Sequence, residues 1–282
     1  MFTDMDASNL NGAGSGSGWE ALLQLGFVAK NGKTVLAQRD HYGPLTVQRP
    51  FYPEGGVCHV YVLHPPGGIV AGDRLSISAS AAAESQALIT TPAAGKFYRS
   101  GGAQANQSVS LNVASNATLE WLPQETIIYE GARLVSTMNI ELEAEAGFIG
   151  WEVLALGRPA SGEGFDSGEA TLNWQISRAG QLFYRERLRL DAIAFAARWG
   201  LNGESACGTL FACPASQAHL EAVQQLIGDH PSRGVTRIDD MLICRAIDAR
   251  ADRLRDFFQQ VWQLIRNDIV HRPACAPRIW AT

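Results

Sequence analysis

Three carboxylates occupy positions where the surrounding pattern does not ask for one: Asp73, Glu152 and Glu186. In Leu182–Leu190 one face of a strand carries Leu182, Tyr184, Glu186, Leu188 and Leu190, and the other carries Phe183, Arg185, Arg187 and Arg189. Glu186 therefore falls on the apolar face, and Glu152 likewise shares a side with Leu154 and Leu156. An ionised carboxylate buried alone is costly, so each needs a cation, a donor network or water. Two chemistries meet that need: a structural ion pair with a nearby arginine, or a polar interior channel. Asp73 closes a different device, the loop His64-Pro65-Pro66-Gly67-Gly68-Ile69-Val70-Ala71-Gly72-Asp73. Its prolines fix the backbone and its glycines open conformations closed to other residues, so the loop has a set shape. Gly67 and Gly72 have the spacing of a phosphate-binding loop, but Asp73-Arg74 follows where Lys-Ser/Thr is required.

The elements that must position these groups read as short strands. Between Ala21 and Asp191, apolar alternation and close turn signals mark Cys58–His64, Gln86–Thr90, Ser108–Val113, Thr137–Leu142, Ala170–Ile176 and Leu182–Leu190. No long amphipathic helix alternates with them, which disfavours a doubly wound α/β sheet. The strand density suits a sandwich or a coiled β-solenoid. Helical periodicity comes late, over Ser216–Gly228 and about Ala249–Asn267. The second segment gathers Leu254, Phe257, Phe258, Val261, Trp262, Leu264 and Ile265 on a wide face, which serves core packing or docks a partner. The expected fold class is mainly β, a helical stack of short strands with two late α-helices. Met1–Gly18, rich in Gly, Ser and Asn, is expected to be flexible, and 19–282 to form one domain. Within that domain a β body covers about 19–213, a helical portion about 214–271, and an extended tail 272–282.

Composition narrows the function. The 282 residues are 46% hydrophobic and 18% charged, with a net charge of −5 and no dense basic run, which argues against nucleic-acid binding. No apolar run approaches the roughly 20 residues of a membrane span, and the N-terminus lacks a secretory pattern. Five scattered cysteines, Cys58, Cys207, Cys213, Cys244 and Cys275, fit a reducing cytoplasm. His-Glu-x-x-His, Cys-x-x-Cys and Gly-x-Ser-x-Gly are missing, so no enzyme mechanism assembles from the motifs.

Several separated segments together resemble one family, the urease accessory proteins UreD, called UreH in some organisms. They are Gly43–Gly55, His64–Gly68 through Gly72-Asp73, Thr90–Arg99, Glu120–Ile127, Gly150–Glu152 with Leu156–Pro159, and Pro277–Trp280. Gly95 departs from the pattern, since a polar residue is common there. The resemblance implies a helical stack of strands with a small helical portion late in the chain. It also implies a cytoplasmic, non-catalytic chaperone that binds UreF in a 2:2 assembly. UreF recruits the GTPase UreG, and the complex acts on urease apoprotein, where two nickel ions are inserted beside a carbamylated lysine.

On that reading no cofactor is held permanently and nickel is handled in passing. Ni²⁺ lies high in the divalent affinity order, so a conduit needs weak oxygen sites and not a soft multidentate one. Asp73, Glu152 and Glu186 are the candidates for its lining, with Thr90, Thr91 and Tyr98 as neutral oxygens and Lys96 and Arg158 setting the local charge. Arg255, Phe258, Trp262 and Arg266 are the candidate partner contacts, because aromatic and arginine side chains dominate interface hot spots. Two rivals remain at this level: a passive scaffold that remodels urease without touching nickel, and a strand-rich hydrolase using Asp73 and Glu186 as acid and base.

Overall fold

The computed structural model describes residues 18–281, so the segment expected to be flexible lies outside them apart from Gly18. The chain opens with an antiparallel pair, β1 (Glu20–Lys30) and β2 (Lys33–Tyr42), and a short β3 (Thr46–Val47). It then winds through β4 (Cys58–Leu63), β5 (Arg74–Ala81), β6 (Gln86–Thr90), β7 (Gly95–Phe97) and β8 (Ala105–Val113). The winding continues with β9 (Thr118–Trp121), β10 (Thr126–Ile128), β11 (Arg133–Leu142), β12 (Gly147–Leu156) and β13 (Glu169–Arg178). β5, β8, β11 and β13 stack in parallel in one sheet, and β4, β6, β9 and β12 in a second. β7 and β10 make a narrow third strip joined to β12. Each coil thus passes from sheet to sheet and climbs by one strand spacing, about 4.8 Å. This is the expected solenoid-like stack.

One corner of the coil repeats. Glu84, Asn116 and Glu145 take left-handed backbone angles (φ 63°, 57° and 57°) at matching points of three successive coils, between the paired residues Ala81, Val113 and Leu142 and the paired residues Gln86, Thr118 and Gly147. A reversal this tight needs φ > 0, which Asn tolerates better than Glu.

Both ends of the stack finish in an antiparallel pair. β1 and β2 cover the first, and β14 (Gln181–Asp191) pairs with β13 at the last. After the five-residue α1 (Ala192–Ala196), β15 (Ala206–Cys213) extends the second sheet from β12. α2 (Gln217–Ile227), β16 (Arg233–Ile238), β17 (Met241–Asp248) and α3 (Ala251–Val270) follow. The stretch expected to be helical is therefore mixed, because the hairpin β16–β17 lies between the two late helices. β17 escapes an alternation search because Met241, Leu242, Ile243 and Cys244 are all buried. α2 begins and ends where expected, with Ser216 accepting from the His219 N–H and Gly228 at the C-cap. α3 runs on past Asn267, since Ile269 and Val270 remain buried, and stops at His271 (φ 58°). Among the described residues no helix is long and apolar enough to cross a membrane.

Two cores result. Inward-facing residues of both sheets form the first, for example Leu134, Met138, Ile140 and Leu142 of β11. α3 forms the second by laying Phe257, Phe258, Val261, Trp262 and Ile265 on the outer face of the second sheet, against Trp151, Val153 and Leu210. A strand covered on both faces loses its alternation, so β12 reads as a nearly continuous apolar run.

Candidate functional site: the space between the sheets

Glu152 and Glu186 enter the space between the sheets from opposite sides. On the first sheet Glu186 is the cross-strand partner of Trp174. On the second, Glu152, Thr209 and Arg245 form one row across β12, β15 and β17. The Trp174 indole N–H crosses to donate to Glu152 Oε2 at 2.8 Å. Arg245 crosses in the other direction, pairing with Glu186 and donating to the Tyr184 hydroxyl at 2.7 Å. Tyr184 in turn donates to Glu186. The arginine that neutralises Glu186 is thus carried by β17 and not by the Arg185–Arg189 face of its own strand.

Glu152, Trp174, Glu186, Thr209 and Arg245 line a cavity of about 250 Å³, together with Leu154, Leu172, Cys207 and Trp199. Burial pushes the Glu152 carboxyl up to about 7; the Trp174 hydrogen bond lowers it and the Glu186 charge adds to the rise. Its surface is partly accessible because it faces the cavity. Near neutral pH Glu152 is accordingly poised between acid and carboxylate. Cys207 is pushed to about 12 by burial and by Glu152, so it stays a neutral thiol. The cavity offers oxygen, not thiolate.

Two further cavities share lining residues with it in turn. One of about 80 Å³ shares Glu152 and is lined by Thr91, Gln107, Gln124 and Thr126. Another of about 450 Å³ shares Ile77, Thr91, Gly95 and Gln107 with the second, and reaches His64, the Pro65–Gly68 loop and Lys96. Four residues singled out in the sequence, Glu152, Glu186, Thr91 and Lys96, therefore line one succession of cavities. Gln107 on β8, Thr209 on β15 and Gln124 between β9 and β10 join them; they read as ordinary polar residues, and only the closure of the coil turns them inward.

Asp73 has another task. Its Oδ1 accepts from the Trp19 N–H at 2.8 Å and its Oδ2 from the Val70 N–H at 2.9 Å. The carboxylate fastens the shaped loop to the start of β1, and it is not among the residues lining the three cavities. The packing is close: a Cβ on Gly18 would lie 2.1 Å from the Gly72 carbonyl carbon. Asp73 and Glu186 consequently do not form the acid–base pair of a hydrolase. Thr90 is buried and holds the tail, its Oγ1 accepting from the Trp280 indole at 2.9 Å. Tyr98 and Arg158 lie on an outer cleft, Tyr98 against the Tyr129 ring at 4.8 Å and Arg158 over that ring while paired to Glu163.

The expected partner contacts on the late helix require correction. Phe258, Trp262 and Arg266 are each 0% exposed, because α3 turns that stripe onto the second sheet. Arg255 is partly exposed and bonded to Gln124 and Glu125 at 2.6 and 2.8 Å. Arg266 is instead the centre of a buried charge cluster. It bonds Glu120 through Nε and Nη2 at 2.8–3.1 Å and Glu54 through both terminal nitrogens at 2.7 and 2.8 Å. Trp262 donates to Glu120 at 2.6 Å, His59 meets Glu54 at 2.6 Å, and the Pro273 carbonyl accepts from Arg266. Burial works to raise the Glu54 pKa, but the bonds from His59 and Arg266 outweigh it and hold the carboxyl below its ordinary value. The tail is docked by the same cluster, with Trp280 packed on Trp151 and Trp262.

A stack of parallel strands closed around an interior that holds the Glu152–Trp174 and Glu186–Arg245 pairs defines a β-solenoid protein. Comparison with known sequences agrees: the family described as UreD urease accessory protein matches residues 20–281. Urease accessory protein UreD of Pseudomonas putida is 44% identical over 268 residues, covering 94% of this chain and 95% of that protein. The protein of the same description from Alcanivorax borkumensis is 40% identical over 283 residues, covering 97% and 96%. That from Dechloromonas aromatica is 42% identical over 275 residues, covering 94% and 95%. This chain belongs to the UreD family of urease accessory proteins.

Proposed function

We propose that this chain works in the cytoplasm with UreF and, through UreF, with the GTPase UreG in a 2:2 assembly on urease apoprotein. In that assembly nickel destined for the dinuclear centre passes through the space between the sheets. The observation that carries this reading is the succession of three cavities with shared walls, reaching from His64 and Lys96 to Glu152 and Glu186. Their polar groups suit passage better than storage. Among the described residues no three His, Cys, Asp or Glu side chains converge on one point, and Cys207 stays protonated. Oxygen donors met one or two at a time release Ni²⁺, which a thiolate cluster would retain. Glu152 can exchange its proton for a cation near neutral pH, and Glu186 can trade its Arg245 partner, whose side chain is 48% exposed, for a cation.

The direct test is reconstitution of purified urease apoprotein with Ni²⁺, bicarbonate, GTP, UreF and UreG, with and without this chain. Activation that depends on the chain supports the role, and equal activation without it rejects the role.

A further inference from the structure

β14 is the last strand of its sheet, so one of its sides has no strand neighbour among the described residues. It is 11 residues long and exposes Arg185, Arg187 and Arg189 in alternation on the outer face. Arg189 lies 3.6 Å from Asp191 and 3.9 Å from Glu169, whereas Arg185 and Arg187 make no ion pair among the described residues. On the inner side, Leu188 and Leu190 lead to Trp199, which lines the same cavity and is 77% exposed. We propose that β14 is a docking edge for an extended segment of a protein partner, one that alternates carboxylates with apolar residues and adds as a further strand.

Charge decides between occupants. Pairing of β14 with a second copy of itself would set arginine rows against each other on one face, and like charges across a strand pair repel. An acidic strand meets the same row favourably while its backbone satisfies the open edge. The other edges differ. β2 is mixed, with Lys33, Arg39 and Asp40. On β16, Arg233 lies 4.2 Å from the Phe257 ring centre and Arg237 bonds the Asp239 carbonyl, so both are engaged within the chain. The inference concerns the edge alone and does not depend on nickel passing through the interior.

The test uses the full chain and three synthetic peptides: alternating Glu and Val, alternating Lys and Val, and the Glu–Val peptide with alternate backbone nitrogens methylated. Titration calorimetry should show the Glu–Val peptide binding at least about tenfold more tightly than the Lys–Val one, with hydrogen-exchange protection over Leu182–Leu190. N-methylation keeps the charge and removes the strand bonds, so it should abolish that protection. The double substitution Arg185→Glu and Arg187→Glu, on exposed side chains, should reverse the preference without changing the circular dichroism spectrum. Absence of Glu–Val binding, or binding without protection of β14, would overturn the proposal.

Discussion

The Trp174 indole N–H lies 2.8 Å from Glu152 Oε2, joining the two sheets across the interior at the point where a carboxylate would otherwise stand alone among apolar side chains. One donor does not offset burial, which leaves the Glu152 pKa at about 7 against an ordinary value of 4.5.

Folding therefore takes up a proton at Glu152 that the unfolded chain has released. The associated stability is complete below about pH 4.5 and is lost as pH rises through about 7. Glu152→Gln keeps an acceptor for Trp174 without a charge. It should stabilise the protein by about 1–3 kcal/mol at pH 8 and change little at pH 4.5. Urea unfolding at the two pH values checks this, and equal shifts at both would contradict it.

Arg266 should be the most sensitive position on α3. Arg266→Met leaves Glu120 and Glu54 without their cation in the interior, at a cost of about 3–5 kcal/mol. Adding Glu120→Gln to Arg266→Met should recover part of that loss. Denaturation midpoints of the single and double variants measure the coupling. Cutting the chain after Ala249, which removes this helix, would therefore report loss of the core and not loss of a docking face.

Asp73→Ala removes acceptors from two backbone N–H groups and should destabilise by about 1–3 kcal/mol. Below its melting temperature the variant should still support urease activation. Unchanged stability with lost activation would return Asp73 to the cation path.

Trp280→Ala deletes the indole donor to Thr90 and the ring packed on Trp151 and Trp262. The expected cost is about 2–3 kcal/mol, with the tail cleaved faster by protease under native conditions. Wild-type protection of residues 272–281 in the variant would show that the remaining contacts, Arg266–Pro273 and Arg272–Gln86 among them, hold the tail without Trp280.

The strands of the first sheet were legible because one of their faces meets solvent: Leu134, Met138 and Ile140 alternate with Val135, Thr137 and Asn139. Glu186 stood out for the same reason, whereas Glu152, on the doubly covered β12, stood out only as a charge sharing a side with Leu154 and Leu156. Strands of the second sheet are covered on both sides, so Glu120, between Leu119 and Trp121 in a wholly buried run, gave no periodic contrast. A sign was present on α3, where Arg266 continues the stripe of Phe258 and Trp262 at four-residue steps. A cation on an apolar helix face implies a buried acid, yet its partner lies 146 residues away and no local pattern could name it. The division of labour between Asp73, which holds a loop, and Glu186, which faces a cavity, depends on how the coil closes.

The central claim is tested most directly by the nickel content of urease matured with a Glu152→Gln, Glu186→Gln double variant. Complex formation with UreF is checked in the same preparation. Passage through the interior requires an intact complex and urease with at least about tenfold less nickel than the wild-type preparation yields. An intact complex that delivers nickel at the wild-type level would contradict it and leave the chain a scaffold.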